Sequence, residues 1–237
     1  MFFISKKKLN YMITIIIIFI FSFTFKIAKE EESINISSAP VSEKIIVLDA
    51  GHGIPDEGAE SKNGTTEAST NLKITMKLKK LLEENGCKVI LTRSDENAIY
   101  DNSAKTLKEK KVSDIKNRVK IANQSSADIF ISIHLNKIKE EQYYGWQCFY
   151  KNGNEKSEKL AKSIQASLNH AIDRENKREA LKIDNVYIVK HVNIPTTIVE
   201  CGFLSNPEEE KLLLTDDYQN KLAWGIYNGI NEYFLDT

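Results

Sequence analysis

Hydrophobic residues fall along this chain in short continuous runs and in longer stretches at helical spacing. Residues 44–49 (KIIVLD), 87–92 (CKVILT) and 127–135 (ADIFISIHL) are continuous apolar runs, as expected of strands buried on both faces. Residues 146–150, 186–189 and 196–200 (TTIVE) are shorter runs that predict three more strands. Between them the period lengthens. Ile74, Leu78, Leu81 and Leu82 predict a helix over 67–84, with Gly86 placed to end it. Ser113 is a cap candidate for a helix running to about Gln124. Leu160, Ile164, Leu168 and Ile172 mark a third helix. Asn206 with Pro207 and three glutamates reads as a capped helix start. Thr215 with two aspartates reads as another, carrying Leu222, Ile226, Ile230 and Phe234 inward. Strands alternating with helices predict an α/β fold, a mostly parallel mixed sheet sandwiched between helices in three layers.

The first forty residues do not share this pattern. Lys6, Lys7 and Lys8 precede an uncharged run over 11–25 that is rich in Ile and Phe. Its length lies between a signal-peptide core and a minimal spanning helix. The lysines put the N-terminus in the cytoplasm and the body outside. A small-x-small cleavage site is missing, since Lys26 stands where Ala28 would need a small residue. An uncleaved membrane anchor is therefore favoured over a cleaved signal. The expected organisation is a hydrophobic signal or anchor helix over 1–28, a linker over 29–43 and one folded domain over 44–237. The domain is expected to be exported, and either anchored or secreted at the outer face of the cytoplasmic membrane.

Charge narrows the function classes. Lys+Arg and Asp+Glu both number 33, so no basic stripe for nucleic acid is expected. The three cysteines, Cys87, Cys148 and Cys201, include no Cys-x-x-Cys pair. That argues against a disulfide framework and a thiolate zinc site, and they read as buried free thiols.

Candidate chemistry gathers where strands end. The first strand runs into Asp49-Ala50-Gly51-His52-Gly53, the second into Arg93, the third into His134 and Asn136, the last into Glu200-Cys201-Gly202. Ligands of open α/β sheets bind beyond the carboxyl ends of strands, so these residues are expected at one edge. Each alone has a plain structural reading: His52 as a loop histidine, His134 as a core histidine, Glu67 as a first-turn carboxylate favoured by the helix dipole. Glu200, within an apolar strand, is costly unless paired or used. As a group they change the picture. Two histidines and a glutamate make a catalytic zinc set with an open position, and a further glutamate can serve as base.

Four ordered blocks carry a resemblance: LDAGHG (48–53), Glu67 at a helix head, SIHLN (132–136) and VECGFLSNPEE (199–209). They resemble the signature blocks of the zinc N-acetylmuramoyl-L-alanine amidases of the type-3 family, over about 44–235. The resemblance implies one zinc ion on His52, Glu67 and His134, with Glu200 as catalytic glutamate. It implies peptidoglycan as substrate, cut between the lactyl group of N-acetylmuramic acid and L-alanine. Arg93, Arg118 and Asn123 resemble recurrent family positions, read as structural or substrate-orienting. Asp49 and Asn136 are read as partners that orient the ligands or as plain turn residues. Ile54 and Ala68 depart from the family pattern near the first loop. A hydrophobic N-terminus with one catalytic domain resembles the spore-cortex amidases, whose action leads to muramic lactam and serves germination. It also implies an accessory protein that brings the domain to its substrate. The rival readings are a zinc peptidase acting on the stem peptide, a non-catalytic wall-binding module and a membrane-anchored interaction protein.

Overall fold

The computed structural model describes residues 39–235, together with Lys7. The expected hydrophobic helix over 1–28 therefore lies outside the described residues. Among those described, no helix is long and apolar enough to cross a membrane.

Six strands form one sheet in the order β2-β1-β3-β6-β4-β5. They are β1 (Ile45–Ala50), β2 (Lys88–Leu91), β3 (Ile129–Asn136), β4 (Gln147–Lys151), β5 (Leu181–Ile183) and β6 (Thr196–Phe203). β2, β1, β3 and β6 run parallel. β4 pairs antiparallel with β6 and parallel with β5. The helices are α1 (Glu67–Glu84), α2 (Leu107–Gln124), α3 (Glu155–Ala171), α4 (Tyr187–His191), α5 (Pro207–Leu213) and α6 (Asp216–Leu235).

The continuous apolar runs fit this sheet because both faces are covered. In β1 and β3, Ile46, Leu48, Ile129, Ile131 and Ile133 pack beneath α1, α3 and α6. The alternate residues Val47 and Phe130 meet Val119 and Ala122 of α2 and Ile188 of α4. Successive strand side chains point to opposite faces, so each layer draws on its own alternate set. α3 and α6 approach closely at Gly229, where a Cβ would lie 2.4 Å from the Ile164 Cα.

Three expectations are corrected. The second helix begins at Leu107, not at Ser113. Its cap is Thr106, whose Oγ1 accepts from Glu109 N while Glu109 Oε2 accepts from Thr106 N, a reciprocal pair that satisfies two end donors. Ser113 sits inside that helix and donates to Asp101 Oδ2. Residues 186–189 are not a strand. Tyr187 opens the short helix α4, which sets Ile188 and Val192 against α2; a four-residue apolar run does not distinguish the two states. Strand β5 carried no signal because it is an edge strand with Leu181 49% exposed. Packing also starts earlier than 44: Val41, expected in the linker, is fully buried in the core.

Candidate metal centre

The carboxyl ends of β1, β3 and β6 lie side by side, and the register fixes which residues meet. Asp49 pairs with Ser132, and His134 pairs with Glu200. Beyond Ala50 the backbone turns sharply. Gly51 N still donates to Ile133 O at 3.0 Å, and His52 then adopts φ +62°, a left-handed conformation uncommon outside Gly, Asn, Asp and His. Gly51 is required by closeness: a Cβ there would stand 2.3 Å from His134 Cε1. The turn thereby passes directly beside the second imidazole. Gly51→Ala is expected to push that ring aside and weaken metal affinity by about 10–100-fold, read by competition with a chromogenic chelator.

Glu67 is the first residue of α1 and is 4% exposed. Its Oε2 accepts from Ala59 N at 2.9 Å, and its Oε1 accepts from Leu135 N at 3.1 Å. His134 Nδ1 lies 2.9 Å and His52 Nε2 3.4 Å from Oε1. Asn71, one turn along α1, reaches Gly51 O and Glu67 Oε1 through its Nδ2. One donor atom from each of His52, Glu67 and His134 falls within 4.8 Å of the others. Nitrogen and carboxylate donors at this spacing suit zinc and leave room for a further ligand.

The charges reflect this crowding. Burial works against an ionised Glu67, but hydrogen bonds from His134 and His52 outweigh it and hold its carboxyl far below the usual range. Burial likewise works against a charged His52. Its contacts with Asp56 and Glu67 prevail and raise it to about 9; Asp56 Oδ2 lies 3.4 Å from His52 Nδ1 and 2.9 Å from Lys111 Nζ. In metal-free protein the raised value contributes stability that is complete below about pH 6.5 and lost as pH rises through about 9. A cation must displace that proton. Metal uptake at pH 7 is expected to release about one proton and to weaken by about tenfold for each unit below pH 9. Calorimetry in buffers of different ionisation enthalpy measures both.

Glu200 projects from β6 beside the donor set. Its Oε2 is buried and has no hydrogen-bond partner among the described residues. Burial, with Glu67 nearby, raises its carboxyl to about 7 against the pull of His134 and His52. A cleft of about 180 Å³ opens over His52, His134 and Glu200, and Ile115, Tyr187 and Ile188 form its apolar wall.

The two arginines serve the turn. Arg93 donates to Ala50 O, Gly51 O, Ala68 O and Asp95 O. Arg118 donates to Ala50 O and His52 O and pairs with Asp49 and Asp114. Asp49 also accepts from Thr92 and Ser132, so its hydrogen bonds fasten the turn and the neighbouring strands. Asn123 fastens the end of α4 through His191 O and Asn193 N. Asn136 O accepts from Leu204 N. All three cysteines are buried free thiols, and burial pushes Cys201 well above its ordinary value. Asp56, Asn71 and Lys111 were not foreseen. Asn71 had a signal, the i+4 spacing from Glu67 that places both on one helix face. Asp56 and Lys111 meet only in the folded chain.

Residues 46–232 match the family described as N-acetylmuramoyl-L-alanine amidase. The chain is 39% identical over 199 residues to the germination-specific N-acetylmuramoyl-L-alanine amidase of Bacillus subtilis, covering 84% of this chain and 83% of that one. It is similar to the CwlD amidase from Clostridioides difficile, solved in complex with the GerS lipoprotein, with a TM-score of 0.80 and 45% identity over 82% of this chain and 100% of that one. An N-acetylmuramoyl-L-alanine amidase from Clostridium difficile 630 gives 0.71 and 32%, over 83% of this chain and 98% of that one. With this extent of match, the chain belongs to the type-3 family of N-acetylmuramoyl-L-alanine amidases.

Proposed function

We propose that this amidase is zinc-dependent and works on spore-cortex peptidoglycan, with His52, Glu67 and His134 holding one ion and Glu200 moving the proton. The observation that carries this reading is the partnerless Oε2 of Glu200 beside three convergent metal donors. A bound zinc ion supplies Lewis acidity, polarising a carbonyl and bringing water towards ionisation near neutrality. Glu200 accepts a proton from the water that attacks the lactyl carbonyl. It then returns that proton to the leaving nitrogen of L-alanine as the C–N bond breaks. A carboxyl raised to about 7 is poised for both transfers. Ile115 and Ile188 form an apolar wall of the cleft, against which the apolar parts of the substrate would pack.

The cortex assignment draws on the germination-specific relative. The GerS complex of the C. difficile relative supports an accessory lipoprotein for this chain. Cell-wall chemistry lies outside the cytoplasm, and residues 1–28 are read as a signal or anchor segment that delivers the domain to the outer face of the cytoplasmic membrane, with a linker after it. Arg93 and Arg118 give every named contact to carbonyls of the chain or to Asp49 and Asp114, so neither is free to hold the terminal carboxylate that a stem-peptide carboxypeptidase would bind. The test is mass spectrometry of cortex peptidoglycan treated with the full-chain protein. Stem peptides that begin at a free L-alanine amine, with muramic acid left as a free lactyl carboxylate, are expected. Cuts within the stem peptide contradict the reading.

A further inference from the structure

Glu209 and Glu210 are consecutive residues in the first turn of α5, 0% and 3% exposed. Neither belongs to the donor set. Burying two adjacent carboxylates is costly unless each is fully engaged, and the two are engaged in opposite directions. Glu209 Oε2 accepts from Phe203 N and Oε1 accepts from Gly145 N, both at 2.8 Å. Arg174 Nη1 stands 3.5 Å from that Oε1 as counter-charge. Phe203 ends β6, three residues beyond Glu200. Gly145 lies two residues before Gln147, which pairs with Glu200 across the β4–β6 ladder. One carboxylate thus joins the ends of both strands around Glu200. Gly202 packs over it, a Cβ there falling 3.1 Å from Glu209 Cδ.

Glu210 faces the other way. Its Oε1 accepts from Ser61 Oγ at 2.5 Å and Thr65 Oγ1 at 2.8 Å, and its Oε2 accepts from Asn63 Nδ2 at 2.8 Å. Ser61 Oγ in turn accepts from Asn63 N and Thr65 N. The segment gathered in this way leads straight into Glu67. Its base is closed by Glu67 N donating to Ala59 O and Ala59 N donating to Glu67 Oε2. Burial works against the Glu210 carboxylate, but Ser61, Thr65 and Asn63 outweigh it and keep it ionised. Asn206 holds the helix start rigid, its Oδ1 accepting from Glu208 N and Glu209 N.

We propose that Glu209 and Glu210 are two positioning residues with separate duties, Glu209 setting the strand ends that aim Glu200 and Glu210 setting the loop that delivers Glu67 to the metal. The proposal rests on the zinc-amidase reading above. It assigns α5 the task of holding the proton-transfer half and the Glu67 side of the metal half in one frame, although Glu67 and Glu200 lie more than a hundred residues apart in sequence.

The test is a split of kinetic and binding constants in full-chain Glu209→Gln and Glu210→Gln. A glutamine keeps the shape but offers an N–H where a second acceptor is needed. Glu209→Gln is expected to lower kcat by about 10–100-fold with zinc Kd and KM within about twofold of the original protein. Glu210→Gln is expected to weaken zinc binding by about 10–100-fold, with its lost turnover recovered by raising zinc. Amide exchange is expected to quicken at Phe203 and Gly145 in the first variant and over residues 60–66 in the second. If either variant fails to fold, Glu209→Asp and Thr65→Val make the same comparison with milder cuts. Parallel losses of kcat and zinc affinity in both variants, or no change in either, overturn the proposal. An unsubstituted protein that binds no zinc and releases no peptide overturns the zinc-amidase reading, and this inference with it.

Discussion

Glu200→Gln is expected to lower kcat by about 10²–10⁴-fold while one zinc ion per chain is retained. The argument starts from position. His134 and Glu200 face each other across the β3–β6 ladder, so the carboxylate is held beside the donor set by sheet register. A glutamine fits that register but carries no proton between water and the leaving nitrogen. The three donors are untouched, so the metal stays. The substitution is also expected to raise the melting temperature of the metal-free protein near pH 8. Burial lifts the Glu200 carboxyl to about 7, above its ordinary 4.5. A raised carboxyl contributes stability below about pH 4.5 and loses it as pH rises through about 7. Above that, the ionised group burdens the fold, and an amide relieves it. A variant that is more stable and nearly inactive is the signature of a residue kept for chemistry. Turnover within about tenfold of the original protein would contradict the assigned role.

The second large effect is on stability. Arg118→Met is expected to cost about 3–5 kcal/mol, measured by urea unfolding of the metal-free protein. Arg118 is 1% exposed and Asp49 0%. The pair is joined at 2.6 Å, and Asp114 accepts from the same guanidinium at 2.8 Å. Removing the cation strands two buried carboxylates and takes the donors from Ala50 O and His52 O. The turn carrying His52 then loses one of its two arginine fastenings, so metal affinity is expected to fall as well. Burial pushes Asp49 upward, but Arg118, Ser132 and Thr92 more than reverse this and hold it below its ordinary value. Its stabilisation is therefore present above about pH 4 and lost as pH falls through the lowered value. A cost below about 1 kcal/mol would mean that the turn holds without the Arg118 contacts.

The sheet was legible because its strands are buried on both faces. Residues 44–49 and 127–135 therefore read as unbroken apolar runs, and each run ends beside the candidate metal centre. The convergence of His52, His134 and Glu200 followed from strands sharing one carboxyl edge, whereas Glu67, at a helix head, joined them through the family resemblance. Local signals failed where a segment is only partly buried. The first turns of α2 are solvated and carry almost no apolar stripe, so the Thr106–Glu109 cap was the readable cue and Ser113 misled. At α4, one buried face of a five-residue helix leaves a pattern that also fits a strand. Arg93, Arg118 and Asp49 were legible as candidates, but the loop contacts around the centre were not. Asp56 meets Lys111, and Glu210 reaches Ser61, 149 positions away. Such pairings depend on how loops close over the sheet edge, which no periodicity encodes.

The most direct measurement is release of L-alanine-terminated stem peptides from cortex peptidoglycan by full-chain protein stripped of metal, then titrated with zinc. The account predicts no release from the stripped protein and full recovery at one equivalent of zinc per chain. Undiminished cleavage after complete metal removal would contradict it.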